Sequence, residues 1–68
     1  MGYFMMPQAI GHELTLVARE AARVFVKAHG YPTGQLGMEI DETRRVIRVT
    51  DKTREITEMF TFAELGFL

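Results

Sequence analysis

Residues 36–54 read Leu36-Gly37-Met38-Glu39-Ile40-Asp41-Glu42-Thr43-Arg44-Arg45-Val46-Ile47-Arg48-Val49-Thr50-Asp51-Lys52-Thr53-Arg54, and this stretch decides the fold. Leu36, Met38 and Ile40 alternate with Gly37, Glu39 and Asp41. Ile47 and Val49 then alternate with Val46, Arg48 and Thr50. A period of two is the mark of a strand with one buried face. Asp41-Glu42-Thr43-Arg44 and Asp51-Lys52-Thr53-Arg54 interrupt the alternation at matching places. An Asp at the start of such a segment accepts backbone N–H groups through its side chain, so both segments read as turns. Neither contains Gly, which argues against the tightest two-residue hairpins and for loops of about three to five residues.

Beyond the second turn, Ile56, Phe60 and Phe62 share one side of a further strand, interrupted by Glu58, and Thr57, Met59 and Thr61 share the other. Residues 36–62 are therefore expected to be a three-strand meander. Upstream, residues 31–37, Tyr31-Pro32-Thr33-Gly34-Gln35-Leu36-Gly37, are rich in turn formers and read as a loop that runs into the first alternating residues.

Before Gly30 the period changes. Ile10, Leu14, Val17, Ala21, Val24 and Ala28 recur at helical spacing, with Ala18, Ala22 and Phe25 widening the stripe. Glu13, Arg19, Glu20, Arg23 and Lys27 fill a solvated face. Pro7 suits a first helical turn. Lys27 and His29 suit the negative end of the helix dipole, Gly30 suits a left-handed cap, and Pro32 blocks continuation. The spacing predicts a helix over residues 8–29. Residues 1–6 are read as an extra strand and residues 63–68 as an apolar tail. The expected class is α+β, a single domain over residues 1–68. One long N-terminal helix packs on an antiparallel sheet of three to four strands, in β-α-β-β-β order.

The chain has 68 residues. A domain this short buries only about 60% of its unfolded surface, so small scaffolds usually carry a disulfide, a metal or a partner subunit. Cys is absent, which removes disulfides and thiolate metal sites. Self-association is the staple that composition leaves. Apolar residues make up 47% of the chain and crowd both ends. Tyr3, Phe4, Phe60, Phe62, Phe67 and Leu68 are the expected protein-interface residues, because aromatics anchor interfaces.

Chemistry is sparse. Ser, Cys, Asn and Trp are absent, and none of the seven Thr sits in a nucleophile motif. His12 and His29 are 17 positions apart in the expected helix, so about 25 Å separates them. The carboxylates lack the spacing of a Ca²⁺ loop. No catalytic residue, metal or cofactor is expected, and the chain is read as a non-enzyme. Arg44, Arg45, Arg48, Lys52 and Arg54 form a basic hairpin, and a basic β-ribbon can enter a DNA groove. Asp41, Glu42, Asp51, Glu55 and Glu58 interleave with these cations, so phosphate neutralisation is only local and nucleic acid is the weaker alternative. A net charge of −1 gives no global field toward nucleic acid or acidic lipid. No apolar run approaches the ~20 residues of a membrane span, and no signal-peptide pattern opens the chain. The expected location is the cytoplasm.

The pattern Leu36-x-Met38-x-Ile40-Asp41-Glu42, followed by Val46-x-x-Val49-x-Asp51-x-Thr53-x-Glu55-Ile56, resembles the hairpin region of FlaG-type flagellar proteins. The likeness covers under half of the chain and implies only a flagellar accessory role as an alternative. A phage- or plasmid-type inhibitory protein is another. The principal expectation is a small interaction module that forms a homodimer through apolar and aromatic surface and engages a second protein partner.

Overall fold

The computed structural model describes the backbone of residues 5–67 and the side chains of residues 12–67. A helix, α1 (Met5–His29), is followed by three strands, β1 (Leu36–Asp41), β2 (Val46–Asp51) and β3 (Ile56–Thr61). The strands form one antiparallel sheet in the order β1-β2-β3. The class is α+β, but the order is helix first and then three strands, which corrects the β-α-β-β-β expectation. Residues 5 and 6 of the expected first strand are helical, and residues 1–4 lie outside the described residues. The helix starts three residues before the expected position 8, so Pro7 falls in its first turn, where a missing N–H costs nothing.

At its other end α1 stops as its residues dictate. Gly30 takes a left-handed φ of 85° and its N–H returns to the Val26 carbonyl at 2.7 Å. A side chain at that φ would be strained, so Gly is the fitting residue.

The sheet repeats every ten residues. Leu36, Val46 and Ile56 each open a six-residue strand that ends on Asp41, Asp51 or Thr61. In each case the closing side chain accepts a backbone N–H three residues on: Arg44 to Asp41 (3.0 Å), Arg54 to Asp51 (3.2 Å) and Glu64 to Thr61 Oγ1 (3.0 Å). The first two loops hold four residues and end with Arg45 (φ 55°) and Glu55 (φ 57°) in left-handed geometry.

The third unit lies in the segment read as an apolar tail and gives it a local structure. Thr61-Phe62-Ala63-Glu64 is a capping box: the Thr61 N–H donates back to Glu64 Oε1 at 2.8 Å. The turn closes with Phe67 N–H to Phe62 O (2.8 Å) and Gly66 N–H to Ala63 O (3.0 Å), with Gly66 at φ 94°. That pair of bonds is a Schellman closure. It folds Leu65 inward to 8% exposure and packs Phe67 against the core.

The core lies between one stripe of α1 and the inner face of the sheet. Val17, Ala21, Phe25, Ile47 and Val49 are fully buried, with Phe62 and Leu65 closing one end. The centre of the helical stripe is Val17-Ala21-Phe25, so Phe25 is its axis rather than its margin, and Ala28 is exposed. Strand register aligns Leu36, Met38 and Ile40 with Asp51, Val49 and Ile47, and these with Ile56, Glu58 and Phe60.

The chain is longer than a compact body of its size. Its radius of gyration is 13.3 Å, against about 11 Å for a compact chain of this length. A 25-residue helix runs about 37 Å, whereas six-residue strands run about 20 Å. Two contacts bound the shared length: Glu13 with Arg45 (3.6 Å) at one end, and Arg54 with the His29 carbonyl (2.6 Å) at the other. The backbone of residues 5–12 continues the helix past the first of these, in keeping with a long dimension of 44 Å.

Candidate functional site

Two features stand out: a polar latch at the end of α1, and two half-covered apolar rows flanking the core.

The latch begins with Asp51, the last residue of β2, whose inward position leaves it with no exposed surface. A buried carboxylate is tolerated only with partners. Asp51 accepts N–H groups from Thr53 (3.1 Å) and Arg54 (3.2 Å), and the Arg54 Nε at 2.7 Å. The Arg54 side-chain bond is the main cause that holds its carboxyl below the usual range, opposed by burial. The other Arg54 nitrogens donate to the carbonyls of His29 (2.6 Å) and Gly30 (3.2 Å). These carbonyls would otherwise be orphans at a helix C-terminus, and a cation there also suits the dipole. Beside them His29 Nε2 pairs with Glu58, while its ring lies 4.7 Å from that of Phe25. Both polar interruptions of the inner sheet face, Asp51 and Glu58, thus serve the end of α1. The arrangement ties helix to sheet.

The apolar rows follow from width. A helix is about 10 Å across and strands lie about 4.8 Å apart, so one helix covers the central strand and only part of each neighbour. Ile47 and Val49 on β2 are sealed, while Leu36, Met38 and Ile40 on β1 and Ile56 and Phe60 on β3 are half-buried. Leu14, Ala18 and Val24 on α1 and Phe67 at the end of the chain are also only partly covered. Among the described residues, nine partly buried apolar side chains therefore pack against seven buried ones.

Of the expected interface residues, Phe60 and Phe67 sit among these half-covered positions. Phe62 is 1% exposed. Its ring packs inside the protomer under the Arg45 guanidinium at 4.6 Å, so it is a core residue. Tyr3, Phe4 and Leu68 lie outside the described residues. Leu36, Met38 and Ile40 on β1, whose alternation marks a buried face, are only half-covered, and alternation carries no signal for that difference. Tyr31 (86%) and Met59 (56%) are the large apolar side chains most exposed among the described residues.

The basic hairpin is not one surface. Arg44 faces Asp41 at 3.9 Å, Arg45 faces Glu13, Arg48 faces Glu39 at 3.0 Å, and Arg54 is held by Asp51. Arg48 lies on the outer face and Arg54 reaches beneath the helix end. Lys52 is exposed in the second turn. His12 is exposed, and no group of three or more His, Asp or Glu among the described residues could hold a metal ion. Likewise, no helix is long and apolar enough to cross a membrane among the described residues.

The outer face of the sheet carries two shallow depressions. One, of about 700 Å³, lies between the first turn and Met59. The other, of about 360 Å³, lies beside Gly37. No protein family, curated protein or solved structure matches the chain.

Proposed function

We propose that this protein is a non-enzymatic interaction module whose first partner is a second copy of itself. The observation that carries the reading is the sealed centre with half-covered flanks: among the described residues, seven buried apolar residues are ringed by nine that are only partly covered. Apolar surface is worth about 25 cal/mol per Å² when removed from water, so covering these rows is favourable. A net charge of −1 leaves little repulsion between copies. Most of the hairpin cations already face carboxylates of the same chain, which favours protein contact over phosphate contact.

The test is the dependence of the unfolding midpoint on protein concentration. Folding coupled to dimer formation gains about 1.4 kcal/mol of apparent stability for each tenfold rise in concentration. A midpoint in urea that rises with concentration supports self-association, and one that stays fixed across the micromolar range refutes it.

A further inference from the structure

We infer that the second copy docks on the free edge of β1, with Met38 on the two-fold axis. The inference rests on the self-association reading and specifies its surface. It starts from backbone direction. Phe62 N–H donates to Arg45 O at 2.9 Å, extending the β2–β3 ladder by one pair. Peptide groups alternate sides along a strand. Ile47, Val49 and Asp51 therefore turn their N–H and C=O groups to β3, and Val46, Arg48 and Thr50 turn theirs to β1. The register then sets Gly37, Glu39 and Asp41 facing β2. Leu36, Met38 and Ile40 direct their N–H and C=O groups to the open edge.

The same alternation points Thr57, Met59 and Thr61 to the edge of β3. That edge is closed at one end, because the Thr61 N–H is taken by Glu64 at 2.8 Å and the capped turn follows. Among the described residues the edge of β1 has no such guard. It holds no Pro and no Lys, two of the usual devices that stop strands from pairing.

A two-fold axis limits how β1 can pair with itself. Opposed residues of an antiparallel pair share a face. The dyads that keep most of β1 paired and let the apolar rows meet therefore pass through Met38 or Glu39. A dyad at Glu39 sets two carboxylates directly opposite, which is destabilising. A dyad at Met38 sets Leu36 opposite Ile40 of the partner subunit and Gly37 opposite Glu39 of the partner subunit. The inner rows then join into one apolar band across a six-stranded sheet.

Gly37 supplies the complementary feature on the outer face. Without a side chain there, a notch of about 360 Å³ opens, lined by Gly37, Met38, Glu39, Thr50 and Lys52. In the Met38 register the carboxylate of the partner's Glu39 enters this notch beside the Lys52 ammonium. Glu39 is 76% exposed and reaches its own Arg48 at 3.0 Å, so it can bridge the two cations. This charge match, made twice by symmetry, commits the edge to a second copy.

A cysteine scan reads the register, since the natural chain has no Cys. Met38→Cys should oxidise to a covalent dimer, because a hydrogen-bonded antiparallel pair sets Cα atoms about 5.5 Å apart, inside the disulfide range of about 4.4–6.8 Å. Leu36→Cys should stay reduced, with its copies about 14 Å apart. Rapid crosslinking of Glu39→Cys with little at position 38 overturns the register. A wild-type dimer with no crosslink at either position overturns the β1 edge but leaves self-association standing. A wild-type monomer overturns both. In parallel, Lys52→Glu should weaken the dimer about tenfold, and adding Glu39→Gln on the same chain, which removes the like-charge contact without setting a cation against Arg48, should recover about threefold of that loss. An unchanged dissociation constant in Lys52→Glu, or no restoration in the double variant, refutes the charge match.

Discussion

Phe62 sits where the third strand gives way to the capped turn, and its replacement tests whether that turn belongs to the core. Its ring is 1% exposed and lies 4.6 Å from the Arg45 guanidinium carbon. Truncating a buried Phe to Ala costs about 3–5 kcal/mol, and losing the cation–π contact adds about 0.5–2 kcal/mol. A 68-residue domain holds about 3–10 kcal/mol in total at the usual 0.05–0.15 kcal/mol per residue. Phe62→Ala should therefore leave the chain largely unfolded at room temperature by circular dichroism. Phe62→Leu is the variant to quantify. It keeps most of the apolar volume but loses the cation–π contact, and should cost about 1.5–3 kcal/mol in urea titration. Phe60→Ala, at a half-covered position on the same strand, should cost less, about 2 kcal/mol. If Phe62→Ala loses under about 1 kcal/mol while Phe60→Ala loses more, the placement of Phe62 inside the protomer is wrong.

Three further perturbations address the caps and the latch. Gly66 has a φ of 94° and open space around a hypothetical Cβ, so Gly66→Ala should cost about 1–2 kcal/mol from backbone strain alone, read by urea titration. The converse holds at exposed Glu55, whose φ is 57°: relief of that strain outweighs the entropy of an added Gly, and Glu55→Gly should gain about 0.5 kcal/mol. Asp51 has a folded pKa below its ordinary value, chiefly through the Arg54 side chain. A depressed carboxylate stabilises above its unfolded pKa of about 3.9, and that contribution disappears as pH falls through the lower folded value. Urea midpoints between neutral pH and acid should thus fall more steeply for wild type than for Asp51→Asn, and parallel curves would show that Asp51 does not drive the acid limb.

The meander was legible because its signals are local. Alternation names the strands, and each Asp binds its own turn through N–H groups two or three residues away. The third turn uses the same device with Thr61 in place of Asp, but Phe62, Ala63 and Leu65 around it read as an apolar end rather than as a turn. The Thr-x-x-Glu spacing and Gly66 were the available clue. The stripe on α1 was readable as a face, yet its centre was not, since the sheet chose Phe25 over Ala28 as the deeper position. The latch was hidden for a different reason. Arg54 meets His29 and Gly30 across 25 and 24 residues, and His29 meets Glu58 across 29. Only the fold brings those partners together, and from sequence alone Glu58 was an interruption and His29 a helix end. The half-covered rows needed the helix laid on the sheet before their exposure could be read.

Equilibrium sedimentation of the wild-type chain over the micromolar range tests self-association most directly. The protomer is 7.8 kDa. A weight-average mass that climbs toward twice this value as concentration rises, and stops there, is the expected result. A mass that stays at 7.8 kDa at every concentration, with the chain fully folded by circular dichroism, contradicts it.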